Sequence, residues 1–92
     1  MSDETRLKRV RLRSWRRGIK EMDLLLGPFA DAHLGAMTSE ELDLFEALLE
    51  ESDQELYAWT TGRAAPPDRF DILLNRIAAY ASNKFTQQSF VL

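Results

Sequence analysis

The stretch MTSEELDLFEALLEESDQEL, residues 37–56, holds two helix starts in close succession. Thr38-Ser39-Glu40-Glu41 has the capping-box pattern, in which the Thr hydroxyl accepts a bond from the backbone N–H three residues on and the Glu there reaches back. Met37 and Leu42 are spaced to form a hydrophobic staple across that cap. Leu42, Phe45, Leu48 and Leu49 then recur at intervals of three and four, which is one face of a helix and not the alternation of a strand. Ser52-Asp53-Gln54-Glu55 repeats the capping pattern. Leu56, Tyr57 and Trp59 follow, and Gly62 is placed to stop that helix.

The same periodicity extends outward in both directions. Toward the N-terminus a helix is expected from about Ile19 to Leu34, with Glu21 and Asp23 in its first turn, where acids suit the helix dipole. Met22, Leu25, Leu26, Phe29 and His33 repeat on one face, and Gly27-Pro28 predicts a kink or break. Before it, a first helix is expected over Thr5–Arg17, with a ragged apolar stripe of Leu7, Val10, Leu12 and Trp15, ended by Gly18. Toward the C-terminus, Ala65-Pro66-Pro67 reads as a stiff connector, and a last helix starts near Asp68. Phe70, Leu73, Leu74, Ile77, Ala78 and Ala81 give its buried face, and Trp59 and Phe45 are expected in or near the core. The pattern fades from Ser82. The expectation is an all-α fold, a small five-helix bundle, with a single domain over residues 1–85 and a frayed tail over 86–92.

Composition narrows the chemistry. A chain of 92 residues, 45% apolar and 29% charged, suits one small domain. A domain of this size buries only roughly 60% of its unfolded surface, which leaves little room for a large enclosed active site. There is no Cys and a single His, so thiolate zinc sites, Cys nucleophiles and multi-histidine metal sites are excluded. No apolar run approaches the roughly 20 residues of a membrane-spanning helix. The N-terminus lacks the apolar core of a secretory signal. A soluble intracellular domain is expected.

The net charge of −3 conceals an asymmetry. Residues 6–20 carry Arg6, Lys8, Arg9, Arg11, Arg13, Arg16, Arg17 and Lys20 and no acid, whereas residues 21–62 carry eleven acids and no Lys or Arg. Two readings stand side by side. The basic helix packs beside acidic helices of its own domain and compensates them, or it binds an acidic partner or nucleic acid, with Trp15 available to stack on a base. Catalysis finds no support. His33 has no Ser or Cys partner in a recognisable motif and lies on an apolar face, as a core or core-edge histidine does. Glu40, Glu41, Asp43, Glu46, Glu50 and Glu51 form a solvated face and lack the central glycine of a calcium loop. No glycine-rich phosphate loop follows a strand.

The remaining unusual feature is Arg16-Arg17-Gly18-Ile19-Lys20-Glu21 at the joint of the first two helices. Gly18 permits close approach, Arg17 offers fixed donors and Glu21 offers acceptors, which together make a small two-signed docking point. The plainer reading is a helix stop with Arg17 and Glu21 as an exposed i,i+4 pair, worth roughly 0.2–0.5 kcal/mol.

A longer ordered pattern surrounds this string. Arg17-Gly18-x-x-Glu21 is followed by Leu24-Leu25-Leu26, Phe29-Ala30-x-x-His33-Leu34, Met37-Thr38, Leu42-x-x-Phe45-x-x-Leu48-Leu49, Leu56-Tyr57-x-Trp59 and Pro66. Over roughly residues 6–85 the chain resembles the succinate dehydrogenase assembly factor family, the flavinator proteins. The resemblance implies a five-helix bundle that is not an enzyme. It would bind the flavoprotein subunit of succinate dehydrogenase, or of the related fumarate reductase, and promote covalent attachment of FAD to a histidine there. It implies no stably bound cofactor or metal, no nucleic-acid partner, no membrane insertion, and a monomer when free. Arg17, Gly18 and Glu21, with Arg16 beside them, would belong to the docking surface, exposed on the free domain, and His33 would be structural. Because the sequence starts near the family core without an Arg- and Ser-rich extension, a bacterial cytoplasmic member is expected.

Overall fold

Phe29, Phe45, Phe70 and Ile77 are fully buried and come from three different helices, which close on one core. The computed structural model describes the backbone of residues 2–91 and the side chains of residues 4–81. Five helices follow in order: α1 (Ser2–Trp15), α2 (Lys20–His33), α3 (Ser39–Leu49), α4 (Asp53–Thr60) and α5 (Asp68–Val91). A short 3₁₀ turn, Leu34–Ala36, links α2 to α3. There is no strand among the described residues. α2 is central and packs against α1, α4 and α5, while α3 packs against α1 and α5.

The local signals formed as expected at α3. Thr38 Oγ1 accepts from Glu41 N at 3.1 Å, Glu41 Oε1 accepts from Thr38 N at 2.9 Å, and the capping box is complete. Leu42, Phe45, Leu48 and Leu49 all face the core. At α4 half of the box is present: Ser52 Oγ accepts from Glu55 N at 3.1 Å. Trp59 is partly buried and packs at the edge of the core, with its ring 5.9 Å from that of Phe70.

Three boundaries differ from the expectation. α1 ends at Trp15, before Arg16 and Arg17, so those two arginines belong to the joint and not to the helix. α2 is not broken at Gly27-Pro28; it runs unbroken to His33 with Pro28 inside it. Proline forfeits one backbone bond, but burial of Leu26, Phe29 and Ala30 on either side holds the helix together. Gly27 is there for packing: a Cβ on it would overlap the ring carbons of Trp15. α5 continues to Val91, through most of the segment where a frayed tail was expected; side chains from residue 82 onward lie outside the described residues.

Candidate functional site

The first question is where the basic block goes. Arg6 and Arg13 are seven residues apart, two turns along one side of α1, and that side lies against α3. Asp43, Glu46 and Glu50 recur at three and four on the facing side of α3. Arg6 Nη2 bonds Glu46 Oε1 at 2.8 Å and also reaches Asp43, and Arg13 Nη2 bonds Glu50 Oε2 at 2.6 Å. The bonds to Glu46 and Asp43 raise the Arg6 pKa further above its already high ordinary value. Toward α2, Arg11 Nε pairs with Asp31 at 3.2 Å, and Trp15 Nε1 donates to the same carboxylate at 3.2 Å. Charge compensation within the domain thus accounts for much of the basic helix. Lys8, Arg9, Arg16 and Lys20 make no ion pair with the described residues.

The joint itself is built from both sides. Gly18 has φ +104°, a conformation that suits glycine, and nothing lies within 4 Å of where its Cβ would be. Gly18 is therefore required by its backbone angle, and the space around it is open. Within the chain, the glycine in close contact is Gly27, not Gly18. Asp23, in the first turn of α2, accepts from Arg17 N at 2.6 Å and pins the incoming chain.

Arg17 overturns the expectation of an exposed side chain. Its side chain is only 11% exposed, and it points inward to the α3–α4 turn. Nε bonds Asp53 Oδ1 at 2.9 Å, Nη2 donates to Glu51 O at 2.6 Å, and Nη1 donates to Leu49 O. Leu49 ends α3 and Asp53 begins α4. The guanidinium thus satisfies the last carbonyl of α3, at its negative end, and a carbonyl of the following turn, and it pairs with an acid at the start of α4. Arg17 and Glu21 are not a pair. Glu21 points outward, exposed, and makes no hydrogen bond or ion pair among the described residues. Arg16 and Ile19 are exposed beside it, Ile19 by 39%.

Sequence reasoning missed an adjoining feature. Glu21, Leu24 and Leu25 share a face of α2, Tyr57 and Thr60 share a face of α4, and with Met22 as floor they line an open groove of about 290 Å³. Leu24 is 48% exposed and Tyr57 41%, high for large apolar side chains. The signal was present as apolar residues that fit neither core stripe.

His33 sits where a structural histidine belongs. Its ring stacks on Phe29 at 4.5 Å, meets Tyr80 edge-on at 5.3 Å, and has Nδ1 3.3 Å from Phe29 O. Among the described residues no cluster of three or more His, Cys, Asp or Glu could hold a metal ion, and no helix is long and apolar enough to cross a membrane.

A family model described as flavinator of succinate dehydrogenase matches residues 8–81. The mitochondrial succinate dehydrogenase assembly factor 2 of Candida glabrata is 44% identical over 84 residues, covering 84% of this chain and 55% of that protein. That of Saccharomyces cerevisiae (strain ATCC 204508 / S288c) is 40% identical over 84 residues, covering 84% of this chain and 52% of that protein. That of Lodderomyces elongisporus is 51% identical over 57 residues, covering 60% of this chain and 35% of that protein. The chain spans about half the length of the longer-matching of these relatives. Their names correct one expectation. These relatives are fungal and mitochondrial, which overturns the bacterial cytoplasmic placement. That placement rested only on where the given sequence begins. With the match over residues 8–81, the chain belongs to the succinate dehydrogenase flavinator family.

Proposed function

We propose that this chain is a succinate dehydrogenase assembly factor that binds the flavoprotein subunit and promotes covalent attachment of FAD to it, acting as a chaperone and not as an enzyme. One observation carries the reading. In a chain of this family, the outer side of the α1–α2 joint offers open space at Gly18, exposed Ile19, and an unpaired Glu21, all held rigidly from behind by Arg17. Rigid presentation is what a docking surface needs, because ordering mobile groups on binding subtracts from affinity. Gly18 and Glu21, with Arg16 at the edge, form the contact. Arg17 contributes from inside by fixing the joint.

Covalent flavinylation needs the target histidine, the flavin methyl carbon and stabilisation of the developing flavin anion in one geometry. Holding reacting groups in place lowers a barrier by several kcal/mol without adding a chemical group. The flavin is cargo of the partner, and the factor, a monomer when free, leaves once the bond has formed. Four of the eight basic residues of the N-terminal block, Arg6, Arg11, Arg13 and Arg17, are engaged by acids of the same chain, which weighs against the basic-helix alternative of nucleic-acid binding.

The test is co-expression of the flavoprotein subunit with and without this chain, reading protein-bound flavin fluorescence after denaturation. The expected result is a higher covalent flavin yield with the chain and a loss of that gain with Glu21→Ala. Equal yields with and without the chain overturn the assignment.

A further inference from the structure

We infer that the groove between α2 and α4 is a second part of the docking surface, which takes a large apolar side chain carried beside a lysine or arginine of the flavoprotein subunit. This deepens the proposed function and rests on it. The α2 wall comes from an i, i+3, i+4 set, Glu21, Leu24 and Leu25, so the acid and the apolar wall lie along one face. The α4 wall, Tyr57 and Thr60, is an i, i+3 pair. The groove therefore begins beside the motif joint and runs away from it, apolar along its floor and with one carboxylate at its rim.

Charge decides the chemistry of the occupant. Glu21 is the only Asp, Glu, Lys, Arg or His among the lining residues, and it has no partner among the described residues. Arg63 lies over the Tyr57 ring, 5.9 Å from its centroid, so that cation is already applied to a ring face, and Arg16 and Lys20, exposed near Glu21, make no ion pair with it. An apolar anchor covering Leu24 and Tyr57 would exclude water around Glu21, and an adjoining cation would then find a carboxylate in a low-dielectric setting. A second copy of this chain fits poorly. Two such faces related by a two-fold axis would bring two unpaired Glu21 carboxylates to one patch, with no lining cation between them.

The experiment measures affinity of the full chain for the purified apo-flavoprotein subunit of succinate dehydrogenase, with melting temperature and sedimentation on the same preparations. Leu24→Asp and Glu21→Lys should each weaken binding by about tenfold or more, the first by placing a charge against the apolar anchor and the second by setting like charges together. Leu24→Ala should weaken it less and guards against misfolding of the Asp variant. Glu21→Gln should lower affinity and flatten its salt dependence, which a purely structural role would not do. Leu12→Asp, at a residue 50% exposed on α1, should bind like wild type. Wild-type affinity in folded Leu24→Asp and Glu21→Lys overturns this inference alone. A wild-type dimer dispersed by Leu24→Asp, with flavoprotein affinity unchanged, assigns the groove to a second copy and overturns it too. A wild-type chain that does not bind the subunit overturns the proposed function, and this inference with it.

Discussion

On the inner side of the α1–α2 joint, Arg17 is 11% exposed and bonds Asp53, Leu49 O and Glu51 O. On the outer side, four residues later, Glu21 is exposed and makes no bond among the described residues. In the sequence these two look like one charged pair at helical spacing. In the fold they face opposite ways and do different work. The inner residue ties three helix ends together, and the outer one is left available. The difference teaches that two charged residues at helical spacing need not share a role, and that substitutions at the two are expected to act by different routes, one through the fold and one at the surface.

Arg17→Ala should show the largest effect on the fold. It strips the Leu49 and Glu51 carbonyls of a partner and leaves Asp53, a half-buried acid, without its cation. A loss of about 2–3 kcal/mol is expected, read by urea unfolding. Arg17→Lys should recover only part of it, because an ammonium does not span the carboxylate and two carbonyls as a guanidinium does. An unchanged unfolding midpoint for Arg17→Ala would erase the distinction between the two sides.

Next in size is Gly27→Ala, where the added methyl meets Trp15. Overpacking should cost about 1–3 kcal/mol. In a Trp15→Ala background the same change should turn favourable by up to about 1 kcal/mol, since alanine is the better helix former. Additive effects of the two substitutions would show that Gly27 is not a contact glycine.

Gly18→Ala should cost about 1–2 kcal/mol, through its positive φ and not through a clash. A chemically synthesised chain with D-alanine at position 18 sharpens the point, because a D-residue adopts that angle without strain. Its melting temperature should return to that of wild type, if the cost at Gly18 is the backbone angle alone. A D-alanine chain that melts as low as Gly18→Ala would show that the cost is not one of backbone angle.

The smallest effect on folding belongs to Glu21→Ala, within about 0.5 kcal/mol of wild type, as for other exposed residues outside such features. Its covalent flavin yield should nonetheless fall. The contrast with Arg17→Ala lies in stability, and a Glu21→Ala chain that melts far below wild type would break the comparison.

Much of the architecture was legible in the residues. The Thr38–Glu41 box, the Ser52 cap, the start of α5 at Asp68 and the core stripe from Leu42 to Leu49 all depend on groups within about four positions of each other, the range over which helix signals act. His33 at the core edge followed from its place on the apolar face of α2. The continuation of α2 through Pro28 did not follow. A local rule gives only the forfeited bond, and the burial that outweighs it comes from other helices.

By itself, then, the sequence determined the number and order of the helices, their caps, the segregation of charge and the family pattern, because each is a property of near neighbours or of composition. Only the tertiary structure decided which arginines are consumed by the domain, which glycine is a contact, and which member of the motif faces outward. The partners of the Arg17 guanidinium lie 32 to 36 positions away, and the ring that covers Gly27 belongs to another helix. No periodicity encodes such pairings. They arise when α1 is laid against α2 and α3, and burial and charge then select one arrangement of side chains at the joint.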